Sequence, residues 1–147
     1  MRILAGLLFG MAVLSAQPAL ASPVAHALGE CLKDNTSGKE RKELARWIFV
    51  SMAAHPDMRN LTTTTDATRL EASKGAAQLF TRLLTENCTT QTRAVVEQAG
   101  PSGMGDAFKA LGEVAMMELM SNQEVARSIN SYMQFLDKKK FEAALGK

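Results

Sequence analysis

Residues 66–87 read DATRLEASKGAAQLFTRLLTEN, and this stretch decides the fold. Leu70, Ala76, Ala77, Leu79, Phe80, Leu83 and Leu84 recur at spacings of three and four, the period of a helix buried on one side. A helix with a single apolar stripe needs partners along that stripe. The spacing therefore predicts a helix from about Asp66 to Asn87 packed inside a bundle.

The flanking segments supply the partners. Pro23 can open a first helix carrying Val24, Ala27, Leu28, Cys31 and Leu32, which stops in the polar run from Asp34 to Gly38. Ser37 and Glu40 form a capping-box pair that opens a second helix with Leu44, Trp47, Ile48, Ser51 and Met52 on its core face. Pro56 is expected to end that helix, because a residue before proline avoids the helical conformation. His55-Pro56-Asp57 repeats a tripeptide of J-domain cochaperones, but the segment before it lacks the apolar pattern of that domain, so it reads as a helix stop and a turn.

Beyond Cys88, a short helix is expected around Thr90 to Ala99. Gly100 to Gly105 holds one proline and three glycines and reads as a loop. A helix with Phe108, Leu111, Ala115, Met116, Leu119 and Met120 follows. Ser121 and Glu124 suggest another capping box, and Val125, Ile129, Tyr132, Met133 and Leu136 form the apolar stripe of a sixth helix. No segment alternates like a strand. The expected fold is all-α: a compact single-domain bundle of about five or six helices spanning residues 22–147, with a weak helical tail after Lys138.

Residues 1–21 have a different character. Met1-Arg2 is a short positive start, Ile3 to Leu14 is apolar and uncharged, and Ala19-Leu20-Ala21 is a small-x-small cleavage site. The apolar run falls short of the ~20 residues needed to span a bilayer. We read it as a cleaved signal peptide and expect export to a periplasm, with no transmembrane segment in the remaining chain. In such an oxidising compartment the only two cysteines, Cys31 and Cys88, are expected to form one disulfide. Closing a loop of that length stabilises by roughly 4 kcal/mol through loop-closure entropy.

Composition narrows the function. Hydrophobic residues make up 46% and charged residues 22%, with a net charge of +2, a balance that argues against disorder and gives no support for nucleic-acid binding. His26 and Glu30 stand one helical turn apart, half of a possible zinc site, but nothing marks two further ligands. No nucleophile-elbow, phosphate-loop or paired-carboxylate pattern occurs, and no cofactor or metal is expected. Two groups remain as partner or ligand surfaces. Lys39, Arg41, Lys42 and Arg46 crowd the start of a helix, where the dipole disfavours cations. Met116, Met117 and Met120 offer soft thioethers, suited first to core filling, then to an apolar groove, and last to copper(I). The sequence points to a non-enzymatic exported protein, an adaptor or an immunity-type inhibitor, acting on another periplasmic protein. The alternative is a carrier of a small apolar or lipid ligand in a Met-rich groove. A second copy of the chain is a further candidate partner.

Overall fold

The computed structural model describes residues 22–146, so the expected signal peptide lies outside the described residues. Eight α-helices follow one another with no strand among these residues. They are α1 (Pro23–Asp34), α2 (Gly38–Met52), α3 (Pro56–Arg59), α4 (Asp66–Arg82), α5 (Thr89–Gln98), α6 (Gly100–Met120), α7 (Gln123–Asn130) and α8 (Lys138–Leu145). The all-α expectation holds, with more helices than the five or six anticipated. The addition is α3, hidden in what read as a polar connection, while the helical tail expected after Lys138 forms α8.

Local chemistry sets the boundaries. Ser22 caps α1 by accepting the Ala25 N–H, and Pro23 occupies its first turn. The capping box of α2 is complete: Ser37 accepts the Glu40 N–H, and the Glu40 carboxylate accepts the Ser37 N–H at 2.9 Å. Pro56 corrects our reading. Helix α2 already ends at Met52, and Pro56 opens α3 from its first turn. At the end of the chain the cap is Asn122, whose side chain accepts from Glu124 and Val125; Ser121 instead donates to the Glu118 carbonyl. The long helix read from Asp66 to Asn87 changes character at its end, where Leu83–Asn87 widen into a π turn before Cys88.

The largest correction concerns Gly100 to Gly105, which is the first turn and a half of α6 rather than a loop. Gly100 takes φ +58° and makes the reversal from α5 in a single residue, a conformation open to glycine. Pro101 then fits the first helical turn, where its missing N–H costs nothing. Gly103 is buried because α6 crosses α5 and α1 there at close range. A Cβ at this position would lie 2.4 Å from the Ala99 Cβ and 3.7 Å from the Ala25 Cβ.

The core runs between α1, α2, α4, α5 and α6. Leu28, Leu32, Leu83, Val95 and Leu111 are fully buried, with Leu44, Leu79, Ala107 and Ala115 around them. Helix α1 packs most extensively on α6, through small residues: a Cβ on Gly29 would sit 3.0 Å from the Ala110 Cβ. The Cys31–Cys88 disulfide is present, with Cα atoms 5.9 Å apart, and ties the end of α1 to the start of α5. Helices α7 and α8 contain no buried residue, so the stripe Val125, Ile129, Tyr132, Met133 and Leu136 does not join this core as expected.

Candidate functional site

Helix α2 packs against both α4 and α6, and above it the two outer helices part to leave an apolar cleft. Leu44, Trp47 and Ile48 of α2 form its floor, Phe80 of α4 one wall, and Phe108, Leu111 and Gly112 of α6 the other. The cleft has a volume of about 380 Å³. Its aromatic rings pack edge to face in a row: Trp47 to Phe80 at 5.7 Å and Phe80 to Phe108 at 5.0 Å between centroids. The stripes predict Trp47, Ile48, Phe80 and Phe108 buried together with Leu83. Leu83 is there, but Ile48 and the three rings are only partly buried and line an opening. Gly112 lines it, and no atom lies within 4 Å of the place its Cβ would take.

A more polar groove of about 340 Å³ adjoins the cleft and shares Leu44 with it. Glu43 and Arg46 of α2 line it, with Glu71 and Gln78 of α4 opposite. An apolar floor thus passes into a charged margin across one residue.

The basic residues read as a cluster are dispersed. Arg41 turns back to the end of α1, where Nη2 donates to the Lys33 carbonyl at 3.0 Å and Nε to Thr36 Oγ1 at 3.3 Å. It adds a charged donor to a carbonyl at the end of α1 that also accepts from the Thr36 N–H and Oγ1, a place where the helix dipole favours a cation. Lys42 reaches across to Glu118 of α6 at 3.6 Å, and Lys39 pairs with Glu43 one turn on at 3.8 Å. Arg46 lines the polar groove.

The methionines are also displaced from expectation. Met116, Met117 and Met120 are 41%, 61% and 38% exposed and do not fill the core. They lie on the last two turns of α6, beyond the cleft, because the buried stripe of this helix is Gly103, Ala107, Leu111 and Ala115. His26 and Glu30 stand 3.7 Å apart on an exposed surface, and a hydrogen bond from Lys33 holds the Glu30 carboxyl below its usual pKa. No group of three or more His, Cys, Asp or Glu side chains suited to a metal ion occurs among the described residues.

Sequence reasoning missed a second polar centre. The Glu40 carboxylate that closes the α2 capping box also accepts from Arg82 of α4 at 2.6 Å. Arg82 donates further to Asn87 Oδ1 and to the Asn35 carbonyl. The Ser37 N–H and then the Arg82 charge hold the Glu40 pKa below its usual value of 4.5. This knot joins the end of α1, the start of α2 and the end of α4.

Comparison with family models, with curated proteins and with solved structures finds no match to this chain. Among the described residues no helix is long and apolar enough to cross a membrane.

Proposed function

We propose that this chain is an exported, periplasmic interaction protein, of adaptor or inhibitor type, whose α2–α4–α6 cleft receives the apolar face of a partner helix. The carrying observation is the lining: six apolar side chains and a glycine, with no titratable group. Sites for small metabolites combine apolar walls with a few placed polar groups that fix orientation. This cleft has none, so it is suited to recognising shape and apolar side chains. Helix-in-groove recognition works in this way, through anchors at i, i+3, i+4 and i+7. The adjoining groove with Glu43, Arg46 and Glu71 supplies the polar margin that surrounds the apolar centre of an interface.

A carrier of an acyl chain is the second reading, favoured by the cleft volume, which falls within the range of ligand pockets. It moves the ligand site from the methionines to the aromatic cleft. The missing anchor for a polar headgroup places it behind the protein-binding reading.

Trp47 is the only tryptophan and lies on the cleft floor, so its emission reports occupancy. An amphipathic helical peptide with leucine anchors at i, i+4 and i+7, titrated into dilute protein, should shift Trp47 emission to shorter wavelength and saturate. Absence of any shift at large excess would remove the cleft as the binding site.

A further inference from the structure

We infer that the corner where α2 runs into α3 docks the protein onto an anionic lipid surface. Phe49, Met52, Met58 and Leu61 enter the interface, and Arg46 and Arg59 meet the headgroups.

The corner exposes apolar side chains that nothing in the bundle covers. Phe49 and Met52 are 52% and 56% exposed at the end of α2, Met58 is 45% exposed on α3, and Leu61 just beyond it is 74% exposed. They belong to one patch, because all four line the same depression of about 180 Å³, together with Ala53 and Thr62. Helix α3 packs substantially on no other helix, which leaves this surface to solvent. A contiguous exposed apolar patch on a folded domain marks an interaction site.

Charge points to the partner. From Leu44 to Thr65 the only carboxylate is Asp57, and two arginines stand in the same stretch. Arg46 lies one turn before Phe49 on the same side of α2. Arg59 follows Met58, and its Nη2 donates to the Ala54 carbonyl at 3.4 Å. Neither arginine has an ion-pair partner among the described residues. The nearby carboxylates are taken: Asp57 faces His55, Asp66 faces Arg69, and Glu43 and Glu71, which share a groove with Arg46, face Lys39 and Lys74.

Apolar side chains flanked by uncompensated cations have the composition of a membrane-interface site. The apolar groups enter the acyl boundary while the guanidinium groups stay at headgroup level. A protein partner would have to place two carboxylates to match arginines on two separate helices. Anionic headgroups move laterally and can meet both. An anionic lipid surface therefore accounts for the patch and its cations together. The corner shares no lining residue with the α2–α4–α6 cleft, so each can be tested without the other.

Sedimentation with vesicles tests the docking. The purified protein should pellet with phosphatidylglycerol vesicles, stay in solution with phosphatidylcholine vesicles, and be released by high salt. The double variant Arg46→Gln, Arg59→Gln should weaken the association roughly tenfold or more. The double variant Met58→Asp, Leu61→Asp should abolish it, with the melting temperature unchanged because both side chains are exposed. Gly112→Leu, which alters the cleft and not the corner, should bind vesicles as the wild type does. Absence of association with phosphatidylglycerol overturns the inference; a dimer that Met58→Asp, Leu61→Asp dissolves would then assign the corner to a second copy. Equal pelleting with both kinds of vesicle, or an association that either double variant leaves intact, also overturns it. Loss of vesicle binding in Gly112→Leu would contradict it too, by moving lipid capture to the cleft.

Discussion

Phe80 and Phe108 meet edge to face, their ring centroids 5.0 Å apart, and so join α4 to α6 over a floor made by α2. This pair forms part of the two walls of the cleft. Phe80→Ala removes the contacts to Phe108 and Trp47 together. Fully buried phenylalanines cost ~3–5 kcal/mol on truncation. Phe80 is partly exposed, so the expected loss is about 2 kcal/mol, carried largely by the two aromatic pairs. Denaturant unfolding of the wild type and the variant checks this. A neutral result would mean that α4 is not held by its rings.

Gly103 tests the crossing of α6 over α5 and α1. Alanine there would place a Cβ 2.4 Å from the Ala99 Cβ, which is fixed to the backbone and cannot swing away. Gly103→Ala should destabilise by about 1–3 kcal/mol through overpacking, against the usual helix-propensity gain. The melting temperature decides it, and a stabilised variant would contradict the close crossing.

The Cys31–Cys88 bond closes a loop with a sequence separation of 57. Loop-closure entropy then sets the cost of losing it at roughly 4 kcal/mol. Unfolding of the Cys31→Ser, Cys88→Ser double variant in denaturant gives the figure. Alkylation of the unreduced wild type should label neither sulfur.

Glu40 should shape the acid side of the stability profile. Its folded pKa lies below 4.5, so it stabilises the fold above its unfolded pKa, and that contribution is lost as pH falls through the lowered folded value. Glu40→Gln should therefore lower stability at neutral pH and flatten the decline on acidification. Chemical unfolding from pH 7 downward measures both, and an unchanged acid limb would place the pH dependence elsewhere.

Much of the bundle was legible because its stripes are regular. Leu79 of α4 and Leu83 of the π turn that follows it announce a buried face, as do Leu28 and Leu32 of α1, and both pairs reach the core. Gly100 to Gly105 was misread because proline and glycine are punctuation with two meanings. Pro101 starts a helix, and Gly103 marks a close approach. The clue lay in spacing: Gly103, Ala107, Leu111 and Ala115 fall four apart and carry the helical period back through the supposed loop. The same period turns Met116, Met117 and Met120 outward. The cleft was not legible, since a stripe of large apolar residues looks the same whether the facing helices close over it or part. Gly112 lines the opening, and a lone helical glycine does not declare its neighbours. The Arg41 cap and the Glu40–Arg82 pair depend on contacts between separate helices, which local spacing does not encode.

Gly112→Leu tests the central claim, that the cleft is the binding site, most directly. No atom within 4 Å obstructs a Cβ at this position, and Gly112 lines the cleft, so a leucine there is designed to take up its space. Replacing a helical glycine also gains up to about 1 kcal/mol of helix propensity. Titration of the leucine-anchored peptide against Trp47 emission in this variant should show binding lost while the melting temperature stays level or rises. Wild-type affinity in a stable Gly112→Leu protein would contradict the account.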